Sequence, residues 1–296
     1  MAEPTGMNHV ARLRTRLAGH ADHGLVSMPG CWDALTTLLV ERAGFAAGFV
    51  SGAGLSMAML GRADLGLVPA DRVVDAVALM RDASDLPLLV DGDTGFGNAL
   101  TLQRFVRMLE RAGGSAVQIE DQTFPKRCGH MAGKQVVPLD QAVGRVRAAL
   151  DARDAMLVVA RTDALGVEGL ASALDRAEAF LAEGADAVFV EGPRTMAELE
   201  AVATRLAGRV PLIHNLAAGG VSPTDDERVL ERLGIAAALH PLLLMGGLAT
   251  GAPRWLAQLA QDRSATALRG ETGMLHDLND LTGAGALLDH GARYGC

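Results

Sequence analysis

Short apolar runs alternate along the chain with longer segments whose apolar residues recur at helical spacing. GLVSMP, AAGFVS, LPLLVD, GSAVQIE, MLVVAR, DAVFVE, PLIHN and IAAALH each have the length of a strand. They are apolar on both faces, as parallel strands covered by helices must be. Between them, 71–82, 100–112, 139–151, 169–183 and 196–206 carry the one-sided pattern of helices that lie on a core. Eight such units predict an α/β fold, a closed (β/α)8 TIM-type barrel rather than an open sheet. No linker-like or low-complexity stretch divides the chain, so a single domain over residues 1–296 is expected.

What terminates each strand carries the functional signal. Pro29–Gly30 ends the first run, and the others end at Ser51, Asp91, Glu120, Arg161, Glu191, Asn215 and His240. Polar residues also end strands because loops begin there, but so many charged and amide groups at one end of a barrel predict a shared site on its active face. Spacing singles out one connection. Glu120 and Arg161 are 41 residues apart, against 29 from Asp91 to Glu120 and 30 from Arg161 to Glu191. The excess falls in EDQTFPKRCGHMAGK and predicts a mobile active-site loop at about 124–134, with Gly129 and Gly133 as hinges.

Composition narrows the partners. Aromatic residues make up only 3% of the chain, so Ala, Leu, Val and Met must build the core. A net charge of −8 with no Lys/Arg block argues against nucleic acid. No apolar run reaches membrane-spanning length and the N-terminal stretch lacks a secretory apolar segment, so no membrane partner is expected. Three scattered cysteines make no disulfide framework, and a reducing cytoplasm suits them.

The chemistry then reads locally. VDGDTGFGN sets Asp91 and Asp93 on a glycine-rich turn, and Glu120 ends the next strand. Such a set suits Mg²⁺ (or Mn²⁺), which takes one or two carboxylates and keeps other positions for water and substrate oxygens. An acidic turn satisfying its own amides has the same look. FVSGAG offers Ser51 and the open amides of Gly52 and Ala53, either to a carboxylate or phosphate or simply to a tight turn. Cys128 lies among Lys126, Arg127 and His130, cations that favour its thiolate while an anionic substrate opposes it. A thiol balanced in this way can move a proton near neutral pH. Cys31 and Cys296 read as structural, and His9, His20, His23, His276 and His290 as surface residues.

Taken together, EDQTFPKRCGHMAGK, LGRADLGL, DGDTGFGN, ARTDA, FVEGP and HNLAAGG resemble the isocitrate lyase/phosphoenolpyruvate mutase superfamily over about residues 25–245. The likeness is greatest to the branch with methylisocitrate and alkylmalate lyases, petal death protein and carboxyphosphonoenolpyruvate mutase. It implies a homotetramer whose C-terminal helices are exchanged between subunits. It puts the metal on Asp91 and Asp93 with Glu120 in support, and the α-keto carboxylate on Ser51, Gly52 and Ala53. Arg161 would neutralise developing charge, with Asp64 nearby and Glu191 and Asn215 completing the pocket. Lys126, Arg127, Cys128, Gly129 and His130 would form the loop signature, with Cys128 protonating the departing enolate.

The departures are specific. Phe49 stands where many relatives have Tyr; Ala218, Val221 and Ser222 stand where many have Glu, Lys and Thr, and no Arg follows the eighth strand before Arg254. These changes weigh against a tricarboxylate. The expectation is a Mg²⁺-dependent carbon–carbon lyase acting on a substituted malate-type 2-hydroxy acid, a small-molecule di- or oxo-acid. The alternative is a phosphonomutase, or an oxaloacetate hydrolase or decarboxylase. Cys128→Ser should keep ligand affinity within a few-fold and lower turnover by about 10²-fold or more, the usual effect of losing a positioned acid. Normal turnover in the serine variant, measured with saturating substrate, would move the acid role to another residue, His130 first.

Overall fold

The computed structural model describes residues 7–127 and 133–295. All eight expected strands form, as β1 Val26–Cys31, β2 Gly48–Val50, β3 Leu88–Asp91, β4 Ala116–Glu120, β5 Leu157–Thr162, β6 Ala187–Val190, β7 Leu212–Asn215 and β8 Ala237–His240. They pair in parallel in sequence order, and β1 meets β8 through Val26–Ala237 to Pro29–His240, which closes the barrel. Almost every strand residue is buried, consistent with the two-sided apolar runs of the sequence. The expected helices appear as Ala70–Ala83, Ala99–Arg111, Leu139–Ala152, Leu170–Ala182 and Met196–Leu206. Side chains fix several of their starts: Asn98 accepts the amides of Leu100 and Thr101, and Thr195 and Glu198 form a reciprocal cap.

Two apolar layers hold the barrel. Outside the strands, Phe180, Leu199, Leu206 and Val188 pack helices onto the sheet. Inside, Met28, Phe49, Leu89, Val159, Phe189 and Leu239 fill the bore. The same inner cluster takes in Leu13 and Leu17 of the helix His9–Ala18, which thereby stoppers the amino-terminal end of the barrel against Val26, Ala116 and Ala236. With one end filled by leucines, the other is left for polar chemistry. Gly30 matters where β1 passes β8, since a Cβ there would lie 2.1 Å from the Pro241 carbonyl oxygen. Only glycine permits that approach.

The sequence drew one domain over 1–296, whereas the chain divides into two compact units, Met1–Leu243 and Leu244–Cys296. The second unit consists of most of the helix Leu243–Asp262, a 3₁₀ turn at Thr266–Leu268, and the helices Leu275–Leu281 and Ala284–Ala292. Leu256, Leu275, Leu287 and Leu288 in this unit are 65–75% exposed. None of the described helices is long and apolar enough to cross a membrane.

His9, expected at the surface, is instead half-buried, with Nδ1 2.9 Å from Ser115 Oγ at the foot of β4. Burial, reinforced by Arg81, lowers its pKa to about 4. The unfolded chain, with an ordinary histidine near 6.5, therefore binds a proton that the folded chain refuses between those values. Stability should fall as pH drops from about 6.5 to about 4. His9→Gln should remove on the order of 1–2 kcal/mol of that loss, a figure reduced for the group's partial exposure. Urea unfolding at pH 7 and pH 4.5 measures it, and an unchanged pH slope in the variant would refute the assignment.

Candidate active site

The polar strand ends gather at the carboxyl mouth of the barrel. Ser51, Ala53, Asp64, Asp91, Lys126, Arg161, Glu191 and Asn215 line one pocket, floored by Phe49, Phe189 and Leu239. Asp93 and Gly52 line an adjoining recess with Asp64 and Asp91. Not every expected residue joins them. His240 ends β8 but pairs with Glu227 at 2.7 Å, outside this pocket. Arg127 lines an outer groove with Gly133 and Lys134, its backbone held at both ends by the Gln122 amide. Cys128, Gly129 and His130 lie outside the described residues.

The turn after β3 places the two aspartates. Asp93 has φ +47°, a left-handed conformation that aspartate tolerates better than most side chains. This folds the chain back so that the Asp93 amide donates to Asp91 Oδ1 at 3.2 Å. Both carboxylates face Gly52: a Cβ there would stand 3.0 Å from Asp91 Oδ2 and 3.3 Å from Asp93 Oδ1. The glycine is therefore what leaves their oxygens accessible. Ser51 caps the short helix Gly52–Leu55, its Oγ accepting the Gly54 amide at 3.3 Å.

Lys126 answers this acidic recess. Only 3% exposed, its Nζ lies 2.6 Å from Asp64 Oδ1 and 2.8 Å from Asp93 Oδ1. Burial works against the ammonium, but Asp93, Asp91, Glu120 and Asp64 outweigh it and hold Lys126 well above the usual lysine range. One cation does not balance the group. Burial pushes Asp93 up to about 7, despite Lys126, with Asp91 and Asp64 adding to the rise. Glu120 Oε1, buried beside them, takes no hydrogen bond.

Arg161 forms the other half of the site. Its Nε and Nη2 donate to the Asp163 carboxylate at 2.9 and 3.0 Å, which fixes the guanidinium plane. Its remaining faces reach Glu120 Oε2 and Glu191 Oε2, each at 3.4 Å, and it lies over the Phe189 ring at 5.2 Å. Burial disfavours the cation, but Asp163, Glu120 and Glu191 together raise its pKa well above the ordinary value. Burial also pushes Asp163 upward, and there Arg161 and Lys134 win, so it stays ionised below the usual range. Glu120 has no such hydrogen bonds, and burial carries it well above the glutamate range in spite of Arg161. Asn215 Nδ2 donates to Glu191 Oε2 at 3.3 Å.

Sequence reasoning missed the support beneath this pair. Lys134 Nζ lies 2.8 Å from Asp163 Oδ1, so the same aspartate holds Arg161 and the far end of the KRCGH segment. Asp121 accepts the Thr162 hydroxyl at 2.7 Å and the Asp163 amide at 2.9 Å, and buried Arg176 reaches it from the helix Leu170–Ala182 at 3.2 Å. The signal was present in ARTDA and GHMAGK, but none of these residues lines the pocket, and strand-end counting finds only those that do.

The donor set fits a hard divalent cation held in part by the protein. Two carboxylates converge beside a glycine, a buried oxygen of Glu120 lacks a hydrogen bond, and acids outnumber cations. Among the described residues no three His, Cys, Asp or Glu side chains close on a common point. That matches an ion completed by water and substrate oxygens, not one enclosed by protein.

Comparison with known proteins identifies the family. The family described as phosphoenolpyruvate phosphomutase matches residues 17–244. The chain is 40% identical over 243 residues to the chloroplastic carboxyvinyl-carboxyphosphonate phosphorylmutase of Arabidopsis thaliana, covering 80% of this chain and 71% of that one. It is 36% identical over 237 residues to the 2,3-dimethylmalate lyase of Eubacterium barkeri, covering 79% and 80%. A crystal structure of 2,3-dimethylmalate lyase superposes with a TM-score of 0.91 at 28% identity, over 98% of this chain and 96% of that one. Phosphonopyruvate hydrolase, solved with oxalate and Mg²⁺, superposes at 0.86 and 25% identity over 98% and 100%.

The clamp on Arg161 gives a stability test. Removing one partner of a buried, hydrogen-bonded ion pair costs about 3–5 kcal/mol, whereas an exposed pair contributes under about 1 kcal/mol. Asp163→Ala should therefore lose several times more stability in urea than Arg147→Ala, whose partner Glu183 pairs with it at the surface. Equal losses would show that the Arg161–Asp163 contact is not maintained in solution.

Proposed function

Because the chain belongs to the phosphoenolpyruvate phosphomutase family, within the superfamily shared with the isocitrate lyases, we propose that it is a Mg²⁺-dependent carbon–carbon lyase acting on an alkyl-substituted malate-type 2-hydroxy acid. The observation that carries this reading is the division of the mouth into two halves: an acidic recess of Asp64, Asp91 and Asp93, and a clamped Arg161 facing it across the pocket. Asp91 and Asp93 would hold the ion, with Glu120 in support. Bound there, Mg²⁺ supplies Lewis-acid stabilisation of the oxygens of the α-keto half.

The chain's own groups do the rest. Ser51, Gly52 and Ala53 bind and orient the carboxylate of the α-keto half. Arg161, its plane fixed by Asp163, presents a pre-oriented cation to negative charge that develops as the C2–C3 bond breaks, so little reorganisation is needed at that moment. Glu191 and Asn215 set the opposite wall. The 2-hydroxyl passes its proton to a carboxylate of the acidic recess, the bonding pair of C2–C3 passes to C3 of the leaving carboxylate enolate, and that carbon takes a proton from the Cys128 thiol. The products are an α-keto acid and a carboxylic acid. Lys126 tethers the start of the KRCGH segment to Asp64 and Asp93, and Lys134 tethers its end to Asp163.

In the same reading the chain works as a homotetramer in the cytoplasm. The exposed leucines of the C-terminal helices support exchange of these helices between subunits, because apolar faces left in water are covered in stable assemblies.

Chelation followed by Mg²⁺ or Mn²⁺ replacement should abolish and then restore cleavage, and Asp93→Ala should abolish both turnover and metal dependence. Full activity after chelation, with no metal by elemental analysis, would overturn the metal assignment. A panel of alkylmalates, 2-methylisocitrate, oxaloacetate and phosphonopyruvate, with products identified by NMR, separates lyase from mutase and hydrolase chemistry. Alkylmalates should exceed the tricarboxylate at least tenfold in kcat/KM, which needs only about 1.4 kcal/mol. Equal or better use of the tricarboxylate would reveal an additional cation facing the substrate.

A further inference from the structure

The turn that carries Asp91 and Asp93 is strained at a residue that touches neither pocket nor recess. Along it, Asp93, Gly95, Phe96 and Gly97 have φ of +47°, +88°, +58° and +138°. Among the described residues only three that are not glycine take a positive φ, and two of them, Asp93 and Phe96, lie here. Glycine adopts this region freely and aspartate tolerates it, but a bulky side chain is opposed by its own Cβ. Phe96, between two glycines, is therefore held against its backbone preference. Such strain persists only where surrounding contacts over-determine it. The contact is aromatic: the Phe96 ring meets that of Phe105 edge to face, with centroids 4.6 Å apart and planes at 62°. Phe105 is 1% exposed on the buried face of the helix Ala99–Arg111, so the ring has a fixed seat. The other end of the turn is tied to β4. The Gly92 amide donates to the Gln118 carbonyl at 2.8 Å, and the Glu120 amide to the Asp93 carbonyl at 2.9 Å. The backbone of this one turn thus sets the spacing of Asp91, Asp93 and Glu120 together.

We propose that Phe96 is a positioning residue: its ring, seated on Phe105, locks the turn so that the three carboxylates keep a fixed spacing. The proposal rests on the metal reading above, under which the lock preforms the cation's ligands. Phe96 lines neither the pocket nor the adjoining recess and acts only through the backbone it holds. A glycine at 96 would take the same φ without strain, but the turn would then have many more conformations to lose when an ion binds. The phenylalanine exchanges local strain for preorganisation. An ion met by ligands already in place spends none of its binding energy on ordering them.

The test titrates the chelated protein with Mn²⁺ and measures free ion by electron paramagnetic resonance, which needs no turnover. Phe96→Gly, which relieves the strain and deletes the ring, should raise the Mn²⁺ dissociation constant at least tenfold, or about 1.4 kcal/mol. Phe96→Tyr keeps the ring and should stay within twofold of wild type. Phe105→Leu removes the seat from the helix side and should weaken Mn²⁺ in the same direction, which answers the question even if the glycine variant folds poorly. Wild-type affinity in both Phe96→Gly and Phe105→Leu overturns the proposal, as does a loss in Phe96→Tyr as large as that in Phe96→Gly. If the wild-type protein itself binds no Mn²⁺, the metal reading fails by that result alone. The lock is then read by amide exchange over residues 92–97, where faster exchange in Phe96→Gly sustains it and unchanged exchange overturns it.

Discussion

The site is organised by an excess of buried carboxylate over buried cation at one end of the barrel. Asp64, Asp91, Asp93, Glu120, Asp163 and Glu191 are all under 10% exposed, and Lys126, Arg161 and Lys134 are the cations set directly among them. Withdrawing so many like charges from water is costly, and pairing offsets it only where geometry is good. The structure resolves the conflict unevenly. Asp163 receives hydrogen bonds from two cations and remains ionised; Asp93 is met by Lys126 alone and Glu120 by Arg161 only at 3.4 Å, and burial raises both. Of these, Asp93 stands with Asp91 beside Gly52. A barrel stabilised by its apolar layers can hold this imbalance, and a divalent cation bound as proposed would offset it.

The same constraint ties separate segments of the chain together. Lys126 and Lys134 flank the KRCGH residues and are each pinned by an acid from another strand end, Lys126 by Asp64 and Asp93, Lys134 by Asp163. Asp163 also fixes Arg161, and its backbone is fixed in turn by Asp121 and through it by Arg176. Arg176 sits on the outer helix layer, so the orientation of a pocket guanidinium is supported through to the packing between helix and sheet. A neutral residue at 163 would loosen Arg161 and Lys134 at once. This connection is physical contiguity of hydrogen bonds, and double-mutant cycles across Asp163, Lys134 and Arg176 would measure how strongly its members couple.

Much of this was legible in the sequence because two regularities coincide in a parallel barrel. Strands buried on both faces read as short apolar runs, and the first polar residue after each run lies at the mouth. That is why Ser51, Asp91, Arg161, Glu191 and Asn215 were found together in one pocket. The rule fails where a strand end turns outward. His240 ends β8 by the same pattern, yet its ring pairs with Glu227 and borders a separate cavity. It fails again for groups one or two residues further on, such as Asp121 and Asp163, which lie behind the lining residues and act through them. His9 escaped for another reason: its partner Ser115 is 106 residues away, and nothing local marks a helix as the stopper of a barrel.

The two ends of the pocket then differ in a way that bears on selectivity. On the β2–β4 side Ser51, Asp64, Asp91 and Lys126 line the pocket with charges and a hydroxyl, and a substrate's fixed part must match them. On the β7–β8 side, beyond Asn215, the lining residues Ala217, Leu239, Pro241 and Leu242 impose shape but little hydrogen-bonding demand. Buried polar groups discriminate sharply, because a ligand that leaves one unpaired loses its full desolvation cost, whereas an apolar wall distinguishes by only a modest step per methylene. The 2-hydroxy acid core would on this ground be strictly required and the substituent loosely graded. Variation in what this fold cleaves is then concentrated where the chain is built from alanine, glycine and leucine, a region free to change without disturbing the charge arrangement that the chemistry needs.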